Sequence, residues 1–213
     1  PPSFLRLVSF ALLVAVLAPS AVAADALADR VQQLAGSFRG RVWIFAKNLD
    51  TGQEFALRAD EPVRTASTIK LPILCGVAAE VAAGRASWDE TLTLRDADKV
   101  SGSGVLTEFA DGTRFTLGDL ANLMIVVSDN TATNLILDRI PADTVNAFLD
   151  TLGLTRTRSL RKVRGDGATL KPPSGWSAAG KLPDNQRVGI GGSTPREMVR
   201  LLGLLEQGKV VND

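Results

Sequence analysis

The chain has 213 residues, 45% hydrophobic and 22% charged, with a formal net charge of +1. That length can bury a sizeable core in one domain, and the near balance of charge offers no field to draw nucleic acid or an anionic membrane. With neither histidine nor tyrosine in the chain, His-ligated metal sites and imidazole bases are excluded. Proton transfer in any hydrolytic site then falls to lysine or a carboxylate, and no metal or cofactor is expected.

Residues 1–23 read as an export signal. Arg6 gives a short basic start, Leu7 to Leu17 is nearly all apolar, Pro19 breaks the run, and Ala21-Val22-Ala23 fits a small-x-small cleavage site. The apolar run is short for a bilayer span; an uncleaved anchor helix is the alternative. Removing 1–23 takes away Arg6 alone and leaves a mature chain without net charge, periplasmic or secreted. No cysteine follows the signal to take a lipid, and the chain opens on Pro1 rather than Met, as if already clipped.

Leu27, Val31 and Leu34 predict an amphipathic helix from Asp25 to Gly36. Strand-rich Arg41–Lys47 and Gln53–Arg58 flank Asn48-Leu49-Asp50-Thr51-Gly52, which predicts a hairpin that needs more sheet than these residues hold. From Ser67 to Gly84 the pattern is helical, with Leu71, Leu74, Val77 and Ala78 on one face and Pro72 in the first turn. The lone Cys75 lies in this apolar stretch and is expected to be a core thiol. Thr91–Arg95 is a candidate strand. Thr116 and Asp119 form a capping pair for a helix through Val127, and helices are predicted at Thr131–Ile140 and Ala142–Leu152. The middle of the chain thus reads as nearly all helical. Residues 164–192, rich in Gly and Pro, form a long connection of the kind that carries function or disorder. Thr194-Pro195-Arg196-Glu197 then opens a helix through Leu205, with Glu197 completing a capping box.

Ser67-Thr68-Ile69-Lys70 places a hydroxyl and an amine one helical turn apart on the same face. A helix start there would put Ser67 near the positive end of the dipole. Lys70 could then take its proton if burial kept the amine neutral. S-x-x-K alone arises in roughly every second chain of this size. It occurs again at Ser159-Leu160-Arg161-Lys162, which the surrounding basic segment marks as a solvated face. Ser128-Asp129-Asn130 is more specific. At a helix end Ser128 could relay a proton and Asn130 could donate to a substrate carbonyl; the lesser alternative is that the tripeptide simply caps the next helix.

Together these motifs resemble the class A β-lactamase and penicillin-binding-protein family of serine hydrolases, whose S-x-x-K and S-D-N they match in order. Ser128 follows Ser67 by 61 positions, as in class A. The resemblance runs from about Asp25 to Gly208. It implies an α+β fold, with an antiparallel sheet lobe beside a helical lobe. Here a domain of residues 24–213 would comprise helix and hairpin (24–62), helical lobe and long loop (63–192) and returning helix (193–213). It also implies that Ser67 is acylated, that Lys70 and Ser128 shuttle protons, and that Asn130 binds substrate at an edge formed by Ser103-Gly104-Val105-Leu106. The implied ligand is a small-molecule β-lactam or peptidoglycan peptide, bound by a monomer without nucleic acid or metal.

Two departures bear on mechanism. The family's K-[ST]-G, which lies on a downstream strand, is absent, and it is expected beyond Asp213 together with the missing strands. The family's loop glutamate is also absent, since no Glu lies between Glu108 and Glu197. Alignment puts Val163 at that place and leaves Asp166 as the nearest carboxylate, either a substitute deacylation base or a solvated turn residue. The alternatives to a β-lactamase are a DD-peptidase or penicillin-binding relative with slow deacylation, and a non-catalytic periplasmic binding module.

Overall fold

An Ala-rich segment with high helix propensity forms helix α1 (Pro19–Ser37), closed where the Ser37 hydroxyl donates to the Leu34 carbonyl at 2.9 Å. The computed structural model describes residues 19–211, with side chains from residue 26 onward except Ala168. The predicted basic start and apolar run of the signal lie outside those residues. Its predicted cleavage site, at 21–23, falls within α1, which therefore begins before the predicted Asp25. The chain divides into two compact units, 1–42 and 43–213. The second carries everything that follows.

Strands β1 (Ile44–Lys47) and β2 (Glu54–Leu57) make the predicted antiparallel hairpin, pairing Ile44 with Leu57 and Lys47 with Glu54. Asn48 Oδ1 accepts from the amides of Asp50 and Thr51, and Gly52 supplies the left-handed residue that closes the turn. A second sheet has the order β3 (Val63–Arg64), β7 (Gly191–Ser193), β6 (Arg158–Ser159), all antiparallel. It ties the approach to Ser67 to both ends of the long connection. Strands of two or three residues are too short to show an alternating pattern, so only the fold reveals them.

Helix α2 (Lys70–Ala82) follows a 3-10 turn, Ala66–Ile69. Its buried side is Pro72, Ile73, Cys75 and Val77, while Leu71, Leu74 and Ala78 are only half-buried. The predicted face was therefore rotated, because nearly every position of this helix is apolar and the period is ambiguous. Cys75 is a buried free thiol, its pKa pushed up to about 11 by burial. At Gly76 a β-carbon would stand 3.1 Å from the Val145 side chain, marking the close crossing of α2 and α5 (Ala142–Thr151).

The helical region is not purely helical. Strand β4 (Thr91–Thr93) pairs with β5 (Arg114–Thr116), and Phe115 meets Phe109 edge-on with centroids 5.1 Å apart. From β5 the chain enters α3 (Leu117–Val126) through the predicted capping box. Thr116 Oγ1 accepts from the Asp119 amide at 2.9 Å, and Asp119 Oδ2 accepts from the Thr116 amide at 3.0 Å. Leu120 and Met124 of α3 join Ile136 of α4 (Asn130–Arg139) and Val145 and Leu149 of α5 in one core, completed by Ile69, Ile73, Leu94, Leu106 and Leu154.

Helix α6 (Pro195–Glu206) begins at Thr194, whose hydroxyl accepts from the Glu197 amide. The predicted reciprocal half of the capping box is not made. Glu197 reaches instead to the Arg156 amide at 3.0 Å and the Thr157 hydroxyl at 2.7 Å, anchoring the start of the long connection. Arg196 holds the hairpin side, paired with Asp60 and stacked 4.4 Å from the Phe45 ring.

Candidate functional site

Ser67 sits in the 3-10 turn, exposed, immediately after Ala66 at φ 46°. Lys70 follows as the first residue of α2, and its side chain is among the most buried in the protein at 2% exposure. A lysine enters such a place only with its ammonium satisfied. All three of its donors are engaged by the S-D-N turn: Ser128 O at 2.6 Å, Ser128 Oγ at 3.0 Å and Asn130 Oδ1 at 3.0 Å. Burial nevertheless draws its pKa down to about 8, against the opposing pull of the Asp129 carboxylate. The amine is thus poised to exchange a proton near neutral pH.

Ser128 adopts φ 55° between α3 and α4, a left-handed turn that costs a non-glycine residue about 1 kcal/mol or more. Asp129 holds the turn in that form. Fully buried, it accepts from Ala132 N with one carboxylate oxygen as the cap of α4, and from Val105 N (2.6 Å) and Leu106 N (2.9 Å) with the other. One side chain therefore fixes both the S-D-N turn and the 103–106 edge. The approach is so close that a β-carbon on Gly104 would stand 2.3 Å from the Asp129 carboxylate. A capping role is open to the tripeptide in the sequence; the hold of Asp129 on the 103–106 edge is not, because Val105 and Leu106 lie 24 and 23 positions away.

Ser103 stands at the rim, its side chain exposed and its carbonyl accepting from the Asn130 amide at 2.9 Å. Lys70, Ser128, Asn130 and Ser103 are thus joined by hydrogen bonds, and Ser67 opens the same short segment as Lys70. The second S-x-x-K separates. Ser159 is fully buried on β6, while Lys162 turns to pair with Asp138. The prediction of a solvated face is corrected for Ser159, because β6, an edge strand of its sheet, packs against α5, where the Asn146 side chain donates to the Ser159 carbonyl at 2.9 Å and accepts from its amide at 2.8 Å.

The chain entering the long connection is held at two points, at α4 and at Ser101. The Asn134 side chain brackets Val163, donating to its carbonyl at 2.9 Å and accepting from its amide at 2.8 Å. Three residues on, Asp166 bonds Ser101. Asp166 is exposed but is not merely a solvated turn residue, since its carboxylate oxygen accepts from the Ser101 hydroxyl at 2.7 Å. Neither Ser101 nor Asn134 stood out in the sequence; both lie outside the two motifs and act on backbone far away in the chain. Among the described residues, no group of three or more Asp, Glu or Cys is placed to hold a metal ion, and no helix is long and apolar enough to cross a membrane.

The chain is 30% identical over 115 residues to a β-lactamase, SME-1, of Serratia marcescens, an alignment covering 54% of this chain and 39% of that protein. It superposes on a β-lactamase from Sphaerobacter thermophilus with a TM-score of 0.68 at 31% identity, covering 90% of this chain and 62% of the other. It also matches a variant of PBP-A in an acyl-enzyme complex with penicillin G, with a TM-score of 0.70 at 28% identity, covering 88% and 64%. The chain spans between about two fifths and three fifths of the length of the curated relatives it matches. The fold is therefore the α+β fold of β-lactamases and penicillin-binding proteins. Since the model of the beta-lactamase enzyme family is matched by residues 26–213, the chain belongs to that family.

Proposed function

We propose that the protein is a serine hydrolase acting on β-lactams through an acyl-enzyme on Ser67. The observation that carries this reading is the buried Lys70 ammonium held on Ser128 Oγ and Asn130 Oδ1, one turn from an exposed serine. With its pKa near 8, about a tenth of Lys70 is neutral at pH 7. In that form it takes the Ser67 proton as Oγ attacks the lactam carbonyl. The ring C–N bond breaks, and Ser128, hydrogen-bonded to Lys70, passes a proton to the leaving nitrogen. Asn130 holds the substrate amide, and Ser103 borders it. The penicillin G adduct of the PBP-A variant supports the same chemistry here. We place the protein outside the cytoplasm after cleavage of residues 1–23, as a monomer on a small-molecule substrate.

A second reading is favoured by Val163. At the place the resemblance assigns to the loop glutamate there is an apolar side chain, and the carboxylate nearest in sequence is committed to Ser101. A penicillin-binding relative, acylated readily and hydrolysed slowly, with peptidoglycan peptide as its natural substrate, accounts for this.

Intact-mass spectrometry of the full-length protein with penicillin G tests both. An adduct present in the wild type and absent in Ser67→Ala is expected. Persistence of the adduct in Ser67→Ala overturns the assignment, and the lifetime of the adduct separates the hydrolase from the slow-deacylating relative.

A further inference from the structure

The loop carboxylate and the buried lysine are connected. Asp166 Oδ1 accepts from Ser101 Oγ at 2.7 Å, and the Asp166 amide donates back to the same oxygen at 2.8 Å. Thr169 Oγ1 lies 2.5 Å from that hydroxyl, so one serine gathers three groups of the loop. The Ser101 carbonyl accepts from Asn130 Nδ2 at 3.0 Å, and Asn130 Oδ1 accepts from Lys70 Nζ at 3.0 Å. An amide group is planar, so fixing Nδ2 fixes the direction of Oδ1.

The backbone is cleared for this approach on both sides. A β-carbon on Gly165, at φ 75°, would stand 2.8 Å from Ser101 Oγ, and one on Gly102, at φ 99°, would stand 2.7 Å from Asn130 Nδ2. Left-handed conformation and lack of space both restrict these positions to glycine. Along α4, Asn130 and Asn134 lie one turn apart. Asn134 brackets the loop at Val163, and Asn130 meets it through Ser101.

We propose that Asp166 is a positioning residue, which acts through Ser101 to hold the Asn130 amide against Lys70, rather than the base that activates water for deacylation. The inference deepens the Ser67 acyl-enzyme reading. Its role belongs to the acylation half of the reaction: with the clasp intact, Asn130 presents oxygen to Lys70 and the S-D-N turn keeps its register. With the clasp open, the amide can rotate, and the ammonium loses one of its three acceptors.

Asp166→Asn, Ser101→Ala, Ser101→Thr and the Asp166→Asn/Ser101→Ala double variant of the full-length protein provide the test. The first measurement is the pH titration of Lys70 by NMR, which needs no substrate. Fewer acceptors destabilise the ammonium, so the midpoint should fall by about half a unit in Asp166→Asn and Ser101→Ala. It should recover in Ser101→Thr, which keeps the hydroxyl. The second measurement is the rate of labelling by a fluorescent penicillin. Compared at about pH 9 and above, where Lys70 is largely neutral in every variant, each of the two disruptive variants should acylate about five- to tenfold more slowly because the Asn130 amide is no longer held, and the double variant no more slowly than the worse single, as for partners in one contact. An unchanged Lys70 midpoint overturns the proposal, as does additivity in the double variant. Normal acylation with slowed deacylation in Asp166→Asn also overturns it and makes Asp166 the base. Should penicillin fail to label Ser67 in the wild type, the acyl-enzyme reading falls, while the NMR titration still decides the clasp.

Discussion

Lys70 Nζ lies 3.0 Å from Ser128 Oγ although 58 positions separate the two residues. The contact joins the N-terminal end of one core helix to the turn between two others. It makes the lysine's charge state dependent on the integrity of that turn.

Acylation should therefore follow the neutral fraction of Lys70. Its rate is expected to rise with pH about a midpoint near 8, measured as the pH profile of kcat/KM or of labelling by penicillin. Lys70→Ala should slow acylation on the order of a hundredfold or more. Linkage gives a second readout. The folded pKa lies below the unfolded value of 10.5, so between about 8 and 10.5 the unfolded chain binds more protons. Stability should rise with pH across that window. Urea melts of Lys70→Met should lose that slope.

Val163 offers a gain of function. Its backbone is bracketed by Asn134, so the direction of the side chain is set before any substitution. With wild type, a burst equal to one product per active site and then slow turnover is expected. Val163→Glu should leave the burst intact and raise the steady rate by a factor within about 10²–10⁴, the usual worth of a general base. Stopped-flow hydrolysis of nitrocefin would measure both phases. An unchanged steady rate would place the missing base elsewhere.

Asp129 should matter to stability out of proportion to its exposure of 1%. Asp129→Ala removes a helix cap and leaves the Val105 and Leu106 amides without their acceptor. The combined loss should be about 3 kcal/mol or more in denaturant unfolding. Asp129→Asn, which keeps one carbonyl oxygen, should cost less.

Gly104→Ala should also be damaging, by a different route. The new methyl would overlap the Asp129 carboxylate on a backbone at φ 121°. Calorimetry should register a loss of about 2 kcal/mol or more. By contrast, Gly203→Ala in α6, where a β-carbon meets nothing within 4 Å, should raise stability by up to about 1 kcal/mol.

The sequence by itself determined the helices that carry their own signals. Thr116 and Asp119 announce the start of α3, Thr194 and Pro195 that of α6, and Asn48 and Gly52 the hairpin turn, because capping and turn chemistry act within four or five residues. It also showed the S-x-x-K and S-D-N motifs themselves, since fixed short spacings can be read from residue order. Tertiary structure alone decided the rest. Whether Ser67 or Ser159 faces solvent depends on which strand or turn lies beneath it, and the two motifs are identical in pattern. The side of α2 that is buried depends on where α5 crosses at Gly76, because an apolar helix has no face of its own. The strands β3, β6 and β7 exist only by pairing across the chain. Asp129, Asn134 and Ser101 act on backbone amides and carbonyls 23 to 65 positions away, and no local pattern encodes a partner at that distance. The same holds for Lys70, whose proton affinity is set by burial and by three oxygen atoms that only the fold brings to it.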